Sequence, residues 1–367
     1  MSSNMFIGNP SYQHGSQAKI GVLLSNLGTP DAPTKQALRR YLKEFLWDKR
    51  VIEISRWKWW LILNVFILNT RPARVAKVFK SIWTEQGSPL LAISNRQAKS
   101  LSQELEKKFG SQVVLEVGMR YGNPSIASAL QNLRDRGAER ILVLPMYGQY
   151  FAGTAGTTFD AVADELKKWR QVPEINTIMQ FHDHPLYIEC LAKSISEHWA
   201  KNGRAEKLLM SFHGIPKSYL FAGDPYFCHC HKTARLIAEK LKLKESDYVV
   251  SFQSVFGKEE WIKPATDKTF IALAKQGINS VDAICPGFLA DCLETLEEIE
   301  EENKEYFLKA GGKKFSYIHA LNDRSDFIQA LTQIVEERIQ PWLSKANAED
   351  YKCSAKHYQN INNKCPQ

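Results

Sequence analysis

Short apolar, β-branched runs alternate with longer stretches of helical period along nearly the whole chain. The runs predict strands over 20–24, 113–117, 140–144, 175–179, 207–212, 248–252, 281–284 and 315–319. Helical periodicity follows over 34–45, 94–109, 124–136, 158–169, 185–202, 229–241, 264–276, 292–307 and 325–342. Such alternation implies parallel sheets covered by helices on both faces. The spacing is too uneven for a closed barrel, since about ninety residues separate the first two strands. The expected class is therefore α/β, with two similar doubly wound (Rossmann-like) domains, each carrying a four-stranded parallel sheet. Gln171-Val-Pro-Glu174 reads as a hinge. It divides an N-terminal domain, 19–172, from a C-terminal domain, 173–314, with the last strand and helix, 315–344, returning to the first domain. The polar ends, 1–18 and 345–367, read as flexible tails.

One stretch departs from this rhythm. Trp57 to Asn69 is nearly continuous apolar sequence, flanked by Arg50, Arg56, Arg71 and Arg74. It is shorter than the roughly 20 residues that span a bilayer. Two readings stay open: a buried core helix, or an apolar lip over about 50–70 whose Trp and Arg residues suit an interface.

Composition narrows the choices. The chain has 367 residues, with 44% hydrophobic and 24% charged, as in a globular protein. A net charge of +8 favours anionic partners. No basic block with interleaved aromatics and no zinc-finger spacing occurs, so nucleic acid is not an expected partner. Seven scattered cysteines, an odd number, argue against a disulfide framework and for a reducing compartment. Met1 to Ala18 has no apolar signal-peptide core, which points to the cytoplasm.

Ligands of open α/β sheets bind beyond the carboxyl ends of the strands, so the residues there come first as candidates. They include Asn26 to Pro30, Arg120 to Pro124, Pro145 to Tyr150, His213 to Pro216, Gln253-Ser254 and Phe288 to Glu294. Neither G-x-G-x-x-G nor a P-loop is present. After the seventh strand, Asp291, Glu294, Glu298 and Glu302 recur three, four and four apart. On a helix they share one face, which fits either a cation path or a capped helix with a solvated acidic side. His213 can accept a proton near pH 7 or ligate a divalent metal. Cys228-His-Cys-His231 lacks the spacing of a zinc pair, and favours a helix start. Gly153 to Thr158 fits either an anion-holding loop or an ordinary capped turn. Cys353 and Cys365 alone fall short of the thiolates an iron–sulfur cluster needs.

Several ordered blocks over about 19–343 resemble those of the ferrochelatases, and of the bacterial type in particular. They are Asn26-Leu-Gly-Thr-Pro-Asp31, Arg120-Tyr121, Ser211-Phe-His-Gly-Ile-Pro216, Gly223-Asp-Pro-Tyr226, Phe252-Gln-Ser254, and Cys285-Pro-Gly-Phe-Leu-Ala-Asp-Cys-Leu-Glu-Thr-Leu-Glu298. The resemblance implies insertion of ferrous iron into protoporphyrin IX with loss of two pyrrole protons, the last step to protohaem. It also implies that His213 and Glu294 are catalytic, and that His213, Glu294, Glu298 and Glu302 meet the metal or carry protons. Leu27, Ser88, Arg120, Tyr121, Phe288 and Asp291 are implied porphyrin contacts. Iron enters as substrate, and no tightly bound cofactor or iron–sulfur cluster is expected. An inner-membrane surface or the preceding pathway enzyme is the expected neighbour of the lip. The chain departs from some relatives at Cys292, where they carry a second histidine. A phosphate-handling α/β enzyme would need a phosphate loop, and a non-catalytic haem or metal carrier would bind both substrates without joining them.

Overall fold

A computed structural model describes residues 5–9, 18–255 and 259–346. Its described residues form two four-stranded parallel sheets. The first contains β1 (Lys19–Thr29), β2 (Val113–Gly122), β3 (Ala138–Pro145) and β4 (Glu174–Thr177), in the order β2-β1-β3-β4. The second contains β5 (Lys207–His213), β6 (Tyr248–Gln253), β7 (Ser280–Ile284) and β8 (Lys314–Ile318), in the order β6-β5-β7-β8. The two orders are the same, so the halves share one topology.

Two domain expectations are corrected. β4 pairs with β3, Ile141 opposite Ile175, so the first domain runs past the expected hinge at 172. β8 pairs with β7, Val281 opposite Phe315, so the last strand does not return to the first sheet. Only the helix Ser325–Ala346 crosses over: Arg140 Nη1 donates to the Trp342 carbonyl at 2.9 Å, and Trp342 Nε1 donates to Glu174 at 2.8 Å. Short apolar strands carry no mark of which neighbour they join, because backbone pairing is generic.

One face of each sheet feeds a common core. Ile20, Val22 and Leu24 of β1 join Leu208, Met210 and Phe212 of β5, with Leu331, Ile334 and Trp342 between them. The outer faces bury separate clusters, around Leu133 and Ile141 in the first half and around Phe270 and Phe307 in the second. The halves are thus fused through their shared interior, which holds the strand ends of both sheets in fixed relation.

The N-terminal tail expectation is corrected where it is described. Ile7 pairs with Trp169, its N–H donating to the Lys168 carbonyl at 2.7 Å. The C-terminal tail beyond Ala346, with Cys353 and Cys365, lies outside the described residues.

The Trp57–Asn69 stretch divides between its two readings. It forms the helix Arg56–Leu61, a π-helical turn Ile62–Ile67 and the start of the helix Leu68–Ile82. Trp59, Leu63 and Leu68 are buried, and Trp59 Nε1 donates to the Leu46 carbonyl at 2.6 Å. Trp57 and Phe66 are 66% and 64% exposed, with Trp60 and Val65 beside them.

Candidate active site

With the order 2-1-3-4, the chain reverses direction across the sheet between β1 and β3, and likewise between β5 and β7. Crevices open at such points, beyond the strand ends. Loops from both halves meet there. Gln97 Nε2 donates to the Leu289 carbonyl at 2.8 Å, and Ala152 N–H donates to Asp224 Oδ2 at 2.9 Å.

His213 closes β5 and is half-buried. Its Nδ1 lies 2.6 Å from the Gly214 carbonyl oxygen. A carbonyl only accepts, so Nδ1 carries the proton and Nε2 presents a lone pair. Phe288 is half-buried in the loop after β7. Leu27 packs at the end of β1 beside Tyr41, Tyr121 and Leu293, the last from the other half. Gly28, with φ +104°, lets the ends of β1 and β2 approach closely, since a Cβ there would come within 1.8 Å of the Tyr121 carbonyl oxygen. Ser88 is buried as the residue before the helix Pro89–Phe109.

The acidic ladder does not form one helical face. A single α-turn, Leu293–Leu296, gives way to a π-helical turn, Glu298–Asn303, and then to the helix Lys304–Lys309. The wider turn places Glu302 N–H on the Glu297 carbonyl at 2.9 Å, so Glu297 rather than Glu298 stacks below Glu302. Glu298 turns inward. Its carboxylate accepts from Ser254 N–H at 2.6 Å and Ser254 Oγ at 2.5 Å. Ser254 makes this clamp with φ +64°, an unusual conformation for a residue with a side chain. Burial raises the Glu298 carboxyl above its ordinary range, against the opposing pull of Ser254 and His213. Gln253 donates to the Glu294 carbonyl at 2.7 Å and so ties this turn to the end of β6. Glu302 is exposed and accepts from Tyr306 OH at 2.6 Å. Among the described residues no three His, Cys, Asp or Glu side chains converge into a metal cage. Glu298 and Glu302 instead engage different partners, Ser254 and Tyr306.

Three implied porphyrin contacts are engaged by partners within the protein. Asp291 is 4% exposed, and its carboxylate accepts from Tyr317 OH at 2.8 Å, Asn322 Nδ2 at 2.8 Å, Thr295 Oγ1 at 3.0 Å and His319 Nδ1 at 3.1 Å. Burial opposes its ionisation, but His319, Asn322 and Tyr317 outweigh it and hold the carboxyl below its usual value. Asp291 anchors its loop. Tyr121 is fully buried and donates to Asp48 Oδ2 at 2.9 Å. Arg120 pairs with the same Asp48 and donates from Nε to Thr157 Oγ1 at 2.7 Å. Its guanidinium is thus largely committed within the protein. The Gly153–Thr158 loop serves this same network, since Thr157 also donates to Asp48.

Cys228 is exposed and Cys230 buried on the helix Tyr226–Lys240, so the two thiols do not share a site. Cys292 is buried, and burial together with the nearby Glu294 charge raises its thiol well above the ordinary value. It cannot stand in for an imidazole base at neutral pH. A groove of about 400 Å³, lined by Glu104, Lys108, Glu189, Lys193 and Asp326, contains none of the strand-end residues.

Asp48, Tyr41 and Tyr147 were not singled out from the sequence, though Tyr147 sits in the loop that follows β3. Glu294 bears electrostatically on both tyrosines, which places it where the two halves face each other. No local sequence signal marks Asp48 or Tyr41, because their partners are distant in the chain.

Two like parallel sheets, with an imidazole and carboxylates at their strand ends, define a two-domain protein of the α/β class. Comparison with known proteins makes this particular. The ferrochelatase family pattern matches residues 19–339. The chain is 55% identical over 336 residues to the ferrochelatase of Hydrogenovibrio crunogenus, covering 90% of this chain and 89% of that one. It is 55% identical over 337 residues to that of Thioalkalivibrio sulfidiphilus, covering 92% and 91%. A solved structure described as SirB from Bacillus subtilis with Fe3+ shares the fold, with TM-score 0.51 and 13% identity over 87% of this chain and 95% of that one. The chain belongs to the ferrochelatase family. It inserts iron into protoporphyrin in haem biosynthesis.

Proposed function

We propose that insertion takes place in the crevice between the strand ends, with His213 and Glu294 as the catalytic pair. A free-base porphyrin must lose two N–H protons as the ion enters. His213 Nε2 accepts a pyrrole proton and passes it toward Glu298, whose raised carboxyl is suited to holding one; once Glu298 releases it to solvent, the second pyrrole proton leaves by the same two groups. Glu294 meets the ion from the side of Tyr41 and Tyr147. Carboxylate and imidazole bind ferrous iron well enough to receive it and loosely enough to give it up. Leu27 and Phe288 supply apolar contact to the ring, and the loop before Pro89, with Ser88, borders it. The observation that carries this reading is the Nδ1–Gly214 hydrogen bond, which leaves His213 with a free base nitrogen beside the clamped Glu298. His213→Ala should lower metal insertion by 10²-fold or more, while fluorescence titration shows porphyrin binding within about twofold of wild type. Normal turnover would remove His213 from the mechanism.

The lip's outer face suits an anionic membrane surface. Residues 35–80 hold twelve Lys and Arg against three acidic residues, and so carry all of the chain's net positive charge. Exposed Trp57, Trp60 and Phe66 lie in that same segment, the pairing of apolar and cationic groups that interfacial helices use. No described helix is long and apolar enough to cross a membrane. Sedimentation with vesicles should show binding to phosphatidylglycerol-containing bilayers, weakened at least tenfold in a Trp57→Ser/Phe66→Ser double variant. Equal binding by both proteins would dismiss the lip as the membrane seat and leave a protein partner, such as the preceding pathway enzyme.

A further inference from the structure

The loops that follow β3 and β7 occupy equivalent places in the two sheet orders. One side chain stands between them. Tyr187, on the helix Pro185–Asn202 that connects β4 to β5, is fully buried. From the first half, Gly148 packs against its ring, where a Cβ would lie 2.9 Å from the ring edge. Toward the second half, the Tyr187 hydroxyl donates to the Pro286 carbonyl. That carbonyl lies past the end of β7, beyond the ladder that satisfies strand carbonyls, so a side chain takes the ladder's place. Gln149, next to Gly148, directs its amide nitrogen to Thr233 Oγ1 at 2.9 Å. Three residues beyond Pro286, the Leu289 carbonyl accepts from Gln97 Nε2 at 2.8 Å and from Asn322 N–H at 3.1 Å. Phe288 thus sits on a short span pinned at both ends, with its own N–H on the Cys285 carbonyl at 3.0 Å.

We propose that Tyr187 is a positioning residue for the reaction, its hydroxyl fixing the Pro286–Leu289 loop so that Phe288 is already in place when the macrocycle arrives. This rests on the reading of Phe288 as a ring contact. The phenyl ring of Tyr187 spaces the two loops, and the hydroxyl sets one against the other. An apolar wall that must be ordered on binding loses affinity to the ordering, whereas a fixed one does not. Burial raises the Tyr187 phenol above its ordinary value, with Gln149 opposing, so the hydroxyl keeps its proton and donates near neutral pH. Without the hydroxyl, the Pro286 carbonyl is left unpaired in the interior, and the loop must shift to find another donor. Phe288, two residues on, shifts with it. His213 and Glu298 are held by separate bonds, to Gly214 and Ser254, so the groups that handle protons and metal stay where they are.

The test is Tyr187→Phe in the full chain, which keeps the spacing ring and deletes only the hydroxyl, assayed anaerobically with ferrous iron and protoporphyrin. The porphyrin KM should rise about fivefold, while kcat and the iron KM stay within about twofold. A purely structural tyrosine would not move the porphyrin constant alone. In a Phe288→Ala background the Tyr187→Phe effect should shrink below about twofold, since the hydroxyl acts through that side chain. An unchanged porphyrin KM in Tyr187→Phe, or an equal rise in the iron KM, would overturn the proposal. So would an undiminished effect in the Phe288→Ala background. A wild-type porphyrin KM in Phe288→Ala alone would bring down the Phe288 reading and the proposal with it. A weakened Phe288→Ala beside an unaffected Tyr187→Phe would overturn only the role of Tyr187.

Discussion

The two halves have the same strand order and opposite habits at their strand ends. In the first half, Arg120, Tyr121 and Thr157 all converge on Asp48, and the charges cancel inside the protein. In the second, His213 keeps a ring nitrogen free, and Glu298 is held by the neutral groups of Ser254 and Gln253 rather than by a counter-charge. The first half is a braced wall and the second presents reactive groups. One topology supports both because the strands only bring loops to a common place, and the loops decide what happens there.

The largest effect that would sharpen this contrast is on stability. Asp48 is 6% exposed at its side chain, and Asp48→Ala would leave the Arg120 guanidinium buried without a counter-charge. It should cost about 3–5 kcal/mol in denaturant unfolding. A variant as stable as wild type would break the account of the first half as a self-neutralised wall. A smaller effect separates the carboxylates of the second half. Glu298→Ala should lower kcat about tenfold, whereas Glu302→Ala, exposed and turned toward Tyr306, should stay within about twofold. Equal losses in both would restore the continuous ladder that the π-turn interrupts.

The smallest effect concerns pH. Asp291 has a lowered carboxyl pKa, so its contribution to stability is present above the ordinary value of 3.8 and lost as pH falls through the lower folded value. His319 is raised above 6.5 by its hydrogen bond to Asp291. Its contribution is full below 6.5 and fades as pH rises through the raised value. The exposed ring keeps that second term slight. In His319→Gln the alkaline decline above pH 6.5 should vanish while the acid limb remains. An unchanged alkaline limb would assign the decline to another group.

Much of the scaffold was legible in the chain. All eight predicted strands are present within a few residues of their expected ends, because buried parallel strands are apolar throughout. The strand-end rule put His213, Phe288 and Glu294 first among the candidates. Partner choice was less legible. β4 and β8 joined the sheets opposite to those expected, because hydrophobic runs signal burial and not neighbours. Asp291 resembled a ladder rung by spacing, yet four side-chain donors from elsewhere in the second half enclose it. The pairing of Arg120 with Asp48 was not legible, because Asp48 lies 72 positions away.

By itself the sequence determined the α/β class, the strand positions, the family blocks and the apolar run over 57–69, all of which follow from local periodicity and residue type. Only the tertiary structure decided which charges are spent internally, which way Glu298 turns, and that the Tyr187 hydroxyl reaches the Pro286 carbonyl. Those outcomes depend on groups far apart in the chain and on a backbone turn of unusual width, and no local pattern of residues encodes either.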